Sequence, residues 1–210
     1  MRTLVVGAAI VDLMMKVERL PKSGEDIPCK ETKTVVGGCA YNVANTLRNL
    51  KCEHDLCVPV GSGSFADIIR RGMKEKGYEP MITAIESETM ENLFALKPIL
   101  HINEAEAKGY TQQENVEEAV RALYEKSGNL VFVTLGAEGT LFYDGKEMRR
   151  VASVKTNVVD TVGAGDSHIG AIIAGMSKGM KVEDAVLLAN RTAAAIVGTS
   201  GPVMDLEEFQ

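Results

Sequence analysis

DTVGAGDS, residues 160–167, runs straight into the apolar stretch HIGAIIAGM, residues 168–176, and this junction decides the fold. Gly163, Ala164 and Gly165 are small enough for backbone N–H groups to approach an anion closely. They stand where a helix begins, and a helix N-terminus favours negative charge. A phosphate is expected there without any lysine. Asp166 falls in the first turn, at the same mouth. A carboxylate beside a phosphate pocket does not help bind phosphate by charge. It can accept a proton from an attacking hydroxyl, general-base catalysis worth about 10²–10⁴-fold. The plain alternative is an N-cap Asp after a Gly-rich turn. Two acids, Asp160 and Asp166, bracketing three small residues are more than capping needs.

Outward from this junction, strands and helices alternate. Short apolar or β-branched runs at 3–8, 33–36, 56–60, 98–102 and 130–135 read as strands. Residues 39–50, 66–76, 115–126, 165–178 and 182–197 read as helices. Residues 140–143 and 147–151 flank Asp144-Gly145, a strong hairpin signal. This order predicts an α/β fold with a mainly parallel central sheet flanked by helices, in one domain over 1–210. Ligands of such sheets collect at the carboxyl ends of the strands. One stretch breaks the rhythm. Between Pro80 and Pro98 a helical piece at about 87–96 has no clear buried strand on either side.

Three further motifs carry candidate chemistry. In VVGGCAYNVANTLRNL, residues 35–50, Gly37-Gly38 opens a helix whose first turn carries Asn42. A glycine pair leaves room for a ligand against the backbone, and Asn42 offers donor and acceptor to a hydroxyl. A tight turn before a helix with an exposed amide explains the same residues. In HINEAEA, residues 101–107, Asn103 and Glu106 supply oxygens that suit hydrated Mg²⁺. The same spacing suits an N-terminal capping box. TLGAEGTLFY, residues 134–143, is a strand, a Gly turn and a hairpin. A lookalike, GSGSFA from Gly61 to Ala66, fits the dinucleotide fingerprint G-x-G-x-x-G/A. Its expected acid, Glu79 or Glu86, closes no recognisable strand. No P-loop motif occurs.

Composition sets the outer limits. The 210 residues carry 23 Lys+Arg against 29 Asp+Glu, a formal charge of −6, with 45% hydrophobic residues. This is globular composition, and it lacks the basic field that nucleic acid or an anionic membrane would need. Cys29, Cys39, Cys52 and Cys57 form no C-x-x-C pair, and His54, His101 and His168 are too scattered for a metal centre, so free thiols in a cytosolic protein are expected. The apolar start MRTLVVGAAIVDLMMK is interrupted by Asp12 and has no convincing cleavage site. It reads as a buried first strand. No apolar run reaches the roughly 20 residues of a membrane span.

GGCAYNVA and DTVGAGDS, in this order, resemble the N- and C-terminal signatures of the ribokinase-like (PfkB) carbohydrate kinase family. The resemblance implies a ribokinase-like fold with a small β lid, and ATP-dependent phosphorylation of a hydroxyl on a sugar or nucleoside. Asp166 matches the family's catalytic base, and Gly163, Ala164 and Gly165 its anion hole. Asp12, Gly38 and Asn42 match contacts to the substrate hydroxyls. Asn103 and Glu106 match the motif near Mg²⁺ and the phosphates, with Glu106 acting through water. Thr134, Gly136 and Gly139 resemble the nucleotide-side turn, and Asn190 a residue beside the adenine. Family members often use K⁺ near the anion hole, for which Asp160 and the 199–201 loop are the weaker candidates. Family dimers often form through the lid, so a homodimer is one possibility and the oligomeric state stays open.

The chain departs from the family in two places. Gly63 and Ala66 stand where the family usually has an acidic residue and a Gly. The chain is also short. The deficit falls near 81–87, so only part of the lid, about 13–36, is expected. Three functions stay open: the kinase, a catalytically silent or truncated binder of the same fold, and a nicotinamide-dependent enzyme built on Gly61 to Ala66.

Overall fold

The computed structural model describes residues 3–58, 60–78, 94 and 96–199. The expected interruption near 81–87, nearly all of the helical piece at 87–96, Glu79 and Glu86, and positions 200–201 lie outside the described residues.

The N-terminal half consists of β1 (Thr3–Val6), β2 (Ile10–Lys16), β3 (Glu31–Gly37), α1 (Cys39–Asn49), β4 (His54–Cys57) and α2 (Ser64–Glu75). β1 and β4 pair in parallel, with Thr3 opposite His54 and Val6 opposite Cys57. β2 and β3 form an antiparallel ribbon in which Ile10 faces Gly37 and Lys16 faces Glu31. Val5, Leu56 and Val58 pack with Val43, Ala44 and Leu47 of α1 and with Ile69 and Met73 of α2.

The N-terminus corrects one expectation. Its apolar run is two strands separated by Gly7, Ala8 and Ala9, rather than one buried strand. Successive side chains of a strand point to opposite faces, and among the described residues helices cover only one face of β1. Val5 is therefore buried, while Leu4 and Val6 are 60% and 50% exposed.

The C-terminal half consists of β5 (Leu100–Asn103), α3 (Glu104–Thr111), α4 (Val116–Ser127), β6 (Val131–Thr134), a 3₁₀ turn (Gly136–Glu138), β7 (Thr140–Tyr143), β8 (Met148–Val151), α5 (Ala164–Ser177) and α6 (Val182–Val197). Its sheet runs β5-β6-β7-β8. β5 pairs with β6 in parallel, and the remaining pairs are antiparallel. The expected turn at Asp144 is closed by its own carboxylate, which accepts from the N–H groups of Lys146 and Glu147 at 2.9 Å each.

Alternation along β6 builds two apolar layers. Val131 and Val133 pack with Val120 and Leu123 of α4. Phe132 points the other way and packs with Phe142, with Ala171 and Ile172 of α5, and with Val186 and Ala189 of α6. Each large apolar side chain buried this way stabilises the fold by about 1.5–3 kcal/mol.

α5 joins the halves, because it packs on α6 and on α1. Gly170 makes the second contact possible: a Cβ there would fall 2.8 Å from the Thr46 Cβ of α1. The starts of α1 and α5, the two motif-bearing turns, are thereby brought to one place.

Candidate active site

α1 and α5 both open on glycine. Gly38 is the N-cap of α1 at φ 98°, and Gly163 is the N-cap of α5 at φ 80°. Neither helix start carries a side-chain cap. Gly38 has a steric reason as well as a conformational one. A Cβ at this position would lie 2.7 Å from the Ala8 carbonyl oxygen and 2.9 Å from the Ala9 Cα. The first turns therefore keep N–H groups that no side chain of their own helix covers, the arrangement that suits an anion or a hydroxyl.

The two motifs, 124 residues apart in sequence, meet through one hydrogen bond. Asn42 Nδ2 donates to Asp166 Oδ2 at 2.8 Å. This fixes the orientation of the Asp166 carboxylate, which is half-buried. The other end of the amide, Asn42 Oδ1, is buried with no hydrogen-bond partner among the described residues. Such an atom costs free energy unless something donates to it, and a substrate hydroxyl has the right chemistry. Asp12 lies on β2 opposite Val35 and is half-buried. It sits two residues beyond Ile10, whose partner Gly37 adjoins the α1 cap.

Cys39 belongs to this place too. Its thiol is pushed above the ordinary cysteine range, first by burial and then by the Asp166 carboxylate beside it. Sequence reading treated it only as one of four free thiols. Its position directly after Gly37-Gly38 was the available signal.

A second group of expected residues converges at the end of the C-terminal sheet. Asn103 pairs with Thr134 in the β5–β6 register. Asn103, Glu104, Ala105, Lys108, Thr134, Leu135 and Gly136 line an open cleft of about 500 Å³. Of the lining residues that sequence reading missed, Lys108 carries the positive charge. It lies five positions after Asn103 on α3, and its ammonium meets Glu104 at 2.7 Å. Gly139 is buried at the base of the turn, against the Val151–Ser153 backbone, and does not line the cleft.

Asn103 and Glu106 form the capping box that their spacing allowed. Glu106 N–H donates to Asn103 Oδ1 at 2.9 Å, and Asn103 N–H donates to Glu106 Oε2 at 3.0 Å. Asp160 holds its own turn, accepting from Val162 N–H at 3.0 Å. Among the described residues, no three His, Cys, Asp or Glu side chains converge as a metal cluster.

Asn190 does not line this cleft. It is buried, and Nδ2 donates to the carbonyls of Val151 at 3.1 Å and Ala152 at 2.9 Å. Its Oδ1 accepts from Thr140 Oγ1 at 2.8 Å. The amide is used up in holding β8 against α6. GSGSFA opens α2 with Gly63 as an uncapped start, and Arg70 donates to the Gly61 carbonyl at 2.6 Å.

A family model described as "pfkB family carbohydrate kinase" matches residues 2–81 and 77–208. The two stretches meet beside the interruption expected near 81–87. The uncharacterised sugar kinase YegV of Escherichia coli strain K12 is 25% identical over 285 aligned positions, which cover 94% of this chain and 89% of that protein. That alignment is longer than the 210 residues of this chain. A ribokinase of Lactococcus lactis is 38% identical over 71 residues, 34% of this chain and 24% of its own length. The structure of Arabidopsis thaliana ribokinase complexed with ribose and ATP superposes with a TM-score of 0.75 at 19% identity, covering 95% of this chain and 93% of the other. The fold is ribokinase-like, and by the extent of the family match the chain belongs to the pfkB family of carbohydrate kinases.

Proposed function

We propose that the chain transfers a phosphoryl group from ATP to a hydroxyl of a sugar or nucleoside, with Asp166 as the general base. The observation that carries this reading is the 2.8 Å bond between Asn42 and Asp166 at two glycine-led helix starts. The substrate lies against Gly38, Asn42 and Asp12, with its reacting hydroxyl at Asp166. Asp166 takes that proton as the phosphoryl group arrives. The N–H groups of Gly163, Ala164 and Gly165 stabilise the negative charge on the transferred group.

The nucleotide occupies the cleft of Asn103, Thr134 and Gly136, where Lys108 adds a positive charge near the phosphates. Mg²⁺ bound with the nucleotide supplies charge neutralisation at the phosphate oxygens. The exposed oxygens of Asn103 and Glu106 fit a hydrated ion of that kind and would hold it through water. K⁺ beside Asp160 completes the reading. The β2–β3 ribbon serves as the visible part of a lid over the substrate and as the surface for a homodimer.

Among the described residues, β1 pairs only with β4, and β5 has β6 as its one partner. That observation favours a second reading, a chain of this fold that binds its ligands without turnover. ATP consumption over a panel of sugars and nucleosides separates the two. The kinase reading expects substrate-dependent ADP release that Asp166→Asn slows by about 10²–10⁴-fold. Calorimetric binding of a sugar or ATP without ADP release establishes the silent binder.

A further inference from the structure

His101 and His168 are 67 residues apart in the chain and in contact in the fold. His101 Nε2 lies 2.8 Å from His168 Nδ1. The other side of His168 reaches deeper. Its Nε2 lies 2.9 Å from Thr140 Oγ1 and 3.0 Å from Asn190 Oδ1. The sheet explains the meeting. His101 stands opposite Phe132 in the β5–β6 register, and Phe132 faces α5 and α6.

The direction of every bond in this group can be deduced. Two backbone carbonyls take the Asn190 amide protons, so its Oδ1 faces His168. An amide oxygen only accepts. The Thr140 hydroxyl spends its one proton on the same oxygen, so His168 Nε2 carries the proton for both contacts, and a neutral ring leaves Nδ1 as an acceptor. His101 Nε2 must then donate to His168 Nδ1. A one-way chain of neutral hydrogen bonds runs from β5 through α5 to α6 and the end of β8.

We propose that His101 and His168 are positioning residues for the phosphoryl-transfer site, holding the first turn of α5 against the strand end that carries Asn103. The proposal rests on the reading given above. His168 follows Asp166 by two residues, and His101 precedes Asn103 by two. The start of α5 has no side-chain cap, and Gly163, Ala164 and Gly165 grip little. Among the described residues its side-chain hydrogen bonds are those of His168 toward the sheet and of Asp166 toward Asn42 of α1. Misplacing a reacting group by an ångström can cost about 10²-fold in rate.

Three variants test this. His168→Phe keeps a ring of similar size and removes both polar partners. His168→Gln keeps an N–H for Asn190. His101→Phe leaves the inner half of the chain intact and serves if His168→Phe does not fold. The primary readout needs no activity: hydrogen exchange of the Ser167 amide, which donates to the Gly163 carbonyl at 2.9 Å, together with the nitrogen shifts of the two imidazoles. Both rings should be neutral with the proton on Nε2. Ser167 exchange should rise by about tenfold or more beyond the change in global unfolding in His168→Phe and His101→Phe, with partial recovery in His168→Gln. Leu123→Ala, a core change on the far side of the sheet, should raise exchange only through global unfolding. Unchanged Ser167 exchange in both ring variants, or a proton on His168 Nδ1, overturns the proposal. In an active enzyme the same variants should lower kcat with little change in KM for ATP, and equal changes in both contradict it. If the wild-type protein transfers no phosphoryl group, the functional reading fails, and the exchange data still decide whether the two rings hold the first turn of α5.

Discussion

The helices of this protein begin in two ways. α3 and α4 satisfy their own first turns. Asn103 and Glu106 cap each other's N–H groups at α3, and Asn115 accepts from Glu117 and Glu118 at α4. α1 and α5 begin on Gly38 and Gly163 with no side-chain cap. A capped start stabilises the fold and spends its oxygens on its own N–H groups, so what Asn103 and Glu106 give a ligand goes through water. A glycine start leaves donors exposed and gives up that stabilisation. α2 shows that glycine alone does not make a site. Gly63 is also an uncapped start, but the first-turn acid, Asp67, faces Arg70 at 3.3 Å on the same helix. The acid of α5 instead meets an amide from a different helix. Two glycine starts facing each other through an acid–amide pair define the candidate site; one alone is a turn.

The largest expected effect falls on the glycine pair. Asp166→Asn should lower kcat by about 10²–10⁴-fold, read from coupled ADP release, while stability stays near wild type. Asn42→Ala removes a hydrogen bond to a charged group, a loss of about 1.5–3 kcal/mol. It should reduce kcat/KM by about 10–150-fold. Equal activity in Asn42→Ala would separate the two helix starts and break the comparison.

The next prediction concerns what holds the uncapped start of α5. Burial pushes both imidazoles down from 6.5, His168 to about 4 and His101 to about 3, the latter helped by its neighbour. Both are neutral in the folded protein, whereas the unfolded chain takes up protons below pH 6.5. Stability is therefore full above about pH 6.5 and falls as the pH drops toward 4, by up to about 1.4 kcal/mol per pH unit for each ring. Urea midpoints of wild type should fall more steeply across this window than those of the His101→Phe/His168→Phe double variant. Parallel curves would place the loss elsewhere.

The smallest effect is expected at a capped start. Asn103→Ala should cost about 1 kcal/mol of stability through the lost cap, seen as a lower urea midpoint with an unchanged slope. A loss above about 3 kcal/mol would show that this start carries more than its cap.

Much of this arrangement was legible in the sequence because its signals are local. The Gly163–Asp166 spacing, the Asp144-Gly145 turn and the stripe of Val43, Leu47 and Leu50 each lie within a few residues. β2 was missed because Ile10–Lys16 continues the apolar run of β1, and the break at Gly7 to Ala9 carries no polar punctuation. α3 was missed because it buries only Ala107. Asn190 was expected beside a nucleotide by resemblance. The structure turns its amide toward β8, which depends on where the strand end lies and leaves no trace in local spacing. The two histidines looked scattered for the same reason: only the parallel register of β5 with β6 brings them together.

A double-mutant cycle on kcat/KM, using Asn42→Ala, Asp166→Asn and the double variant, tests most directly whether the two glycine-led turns act as a single site. If they do, the double variant is about as slow as Asp166→Asn alone, because the amide acts through the carboxylate. Losses that simply multiply would show two independent residues and contradict the account.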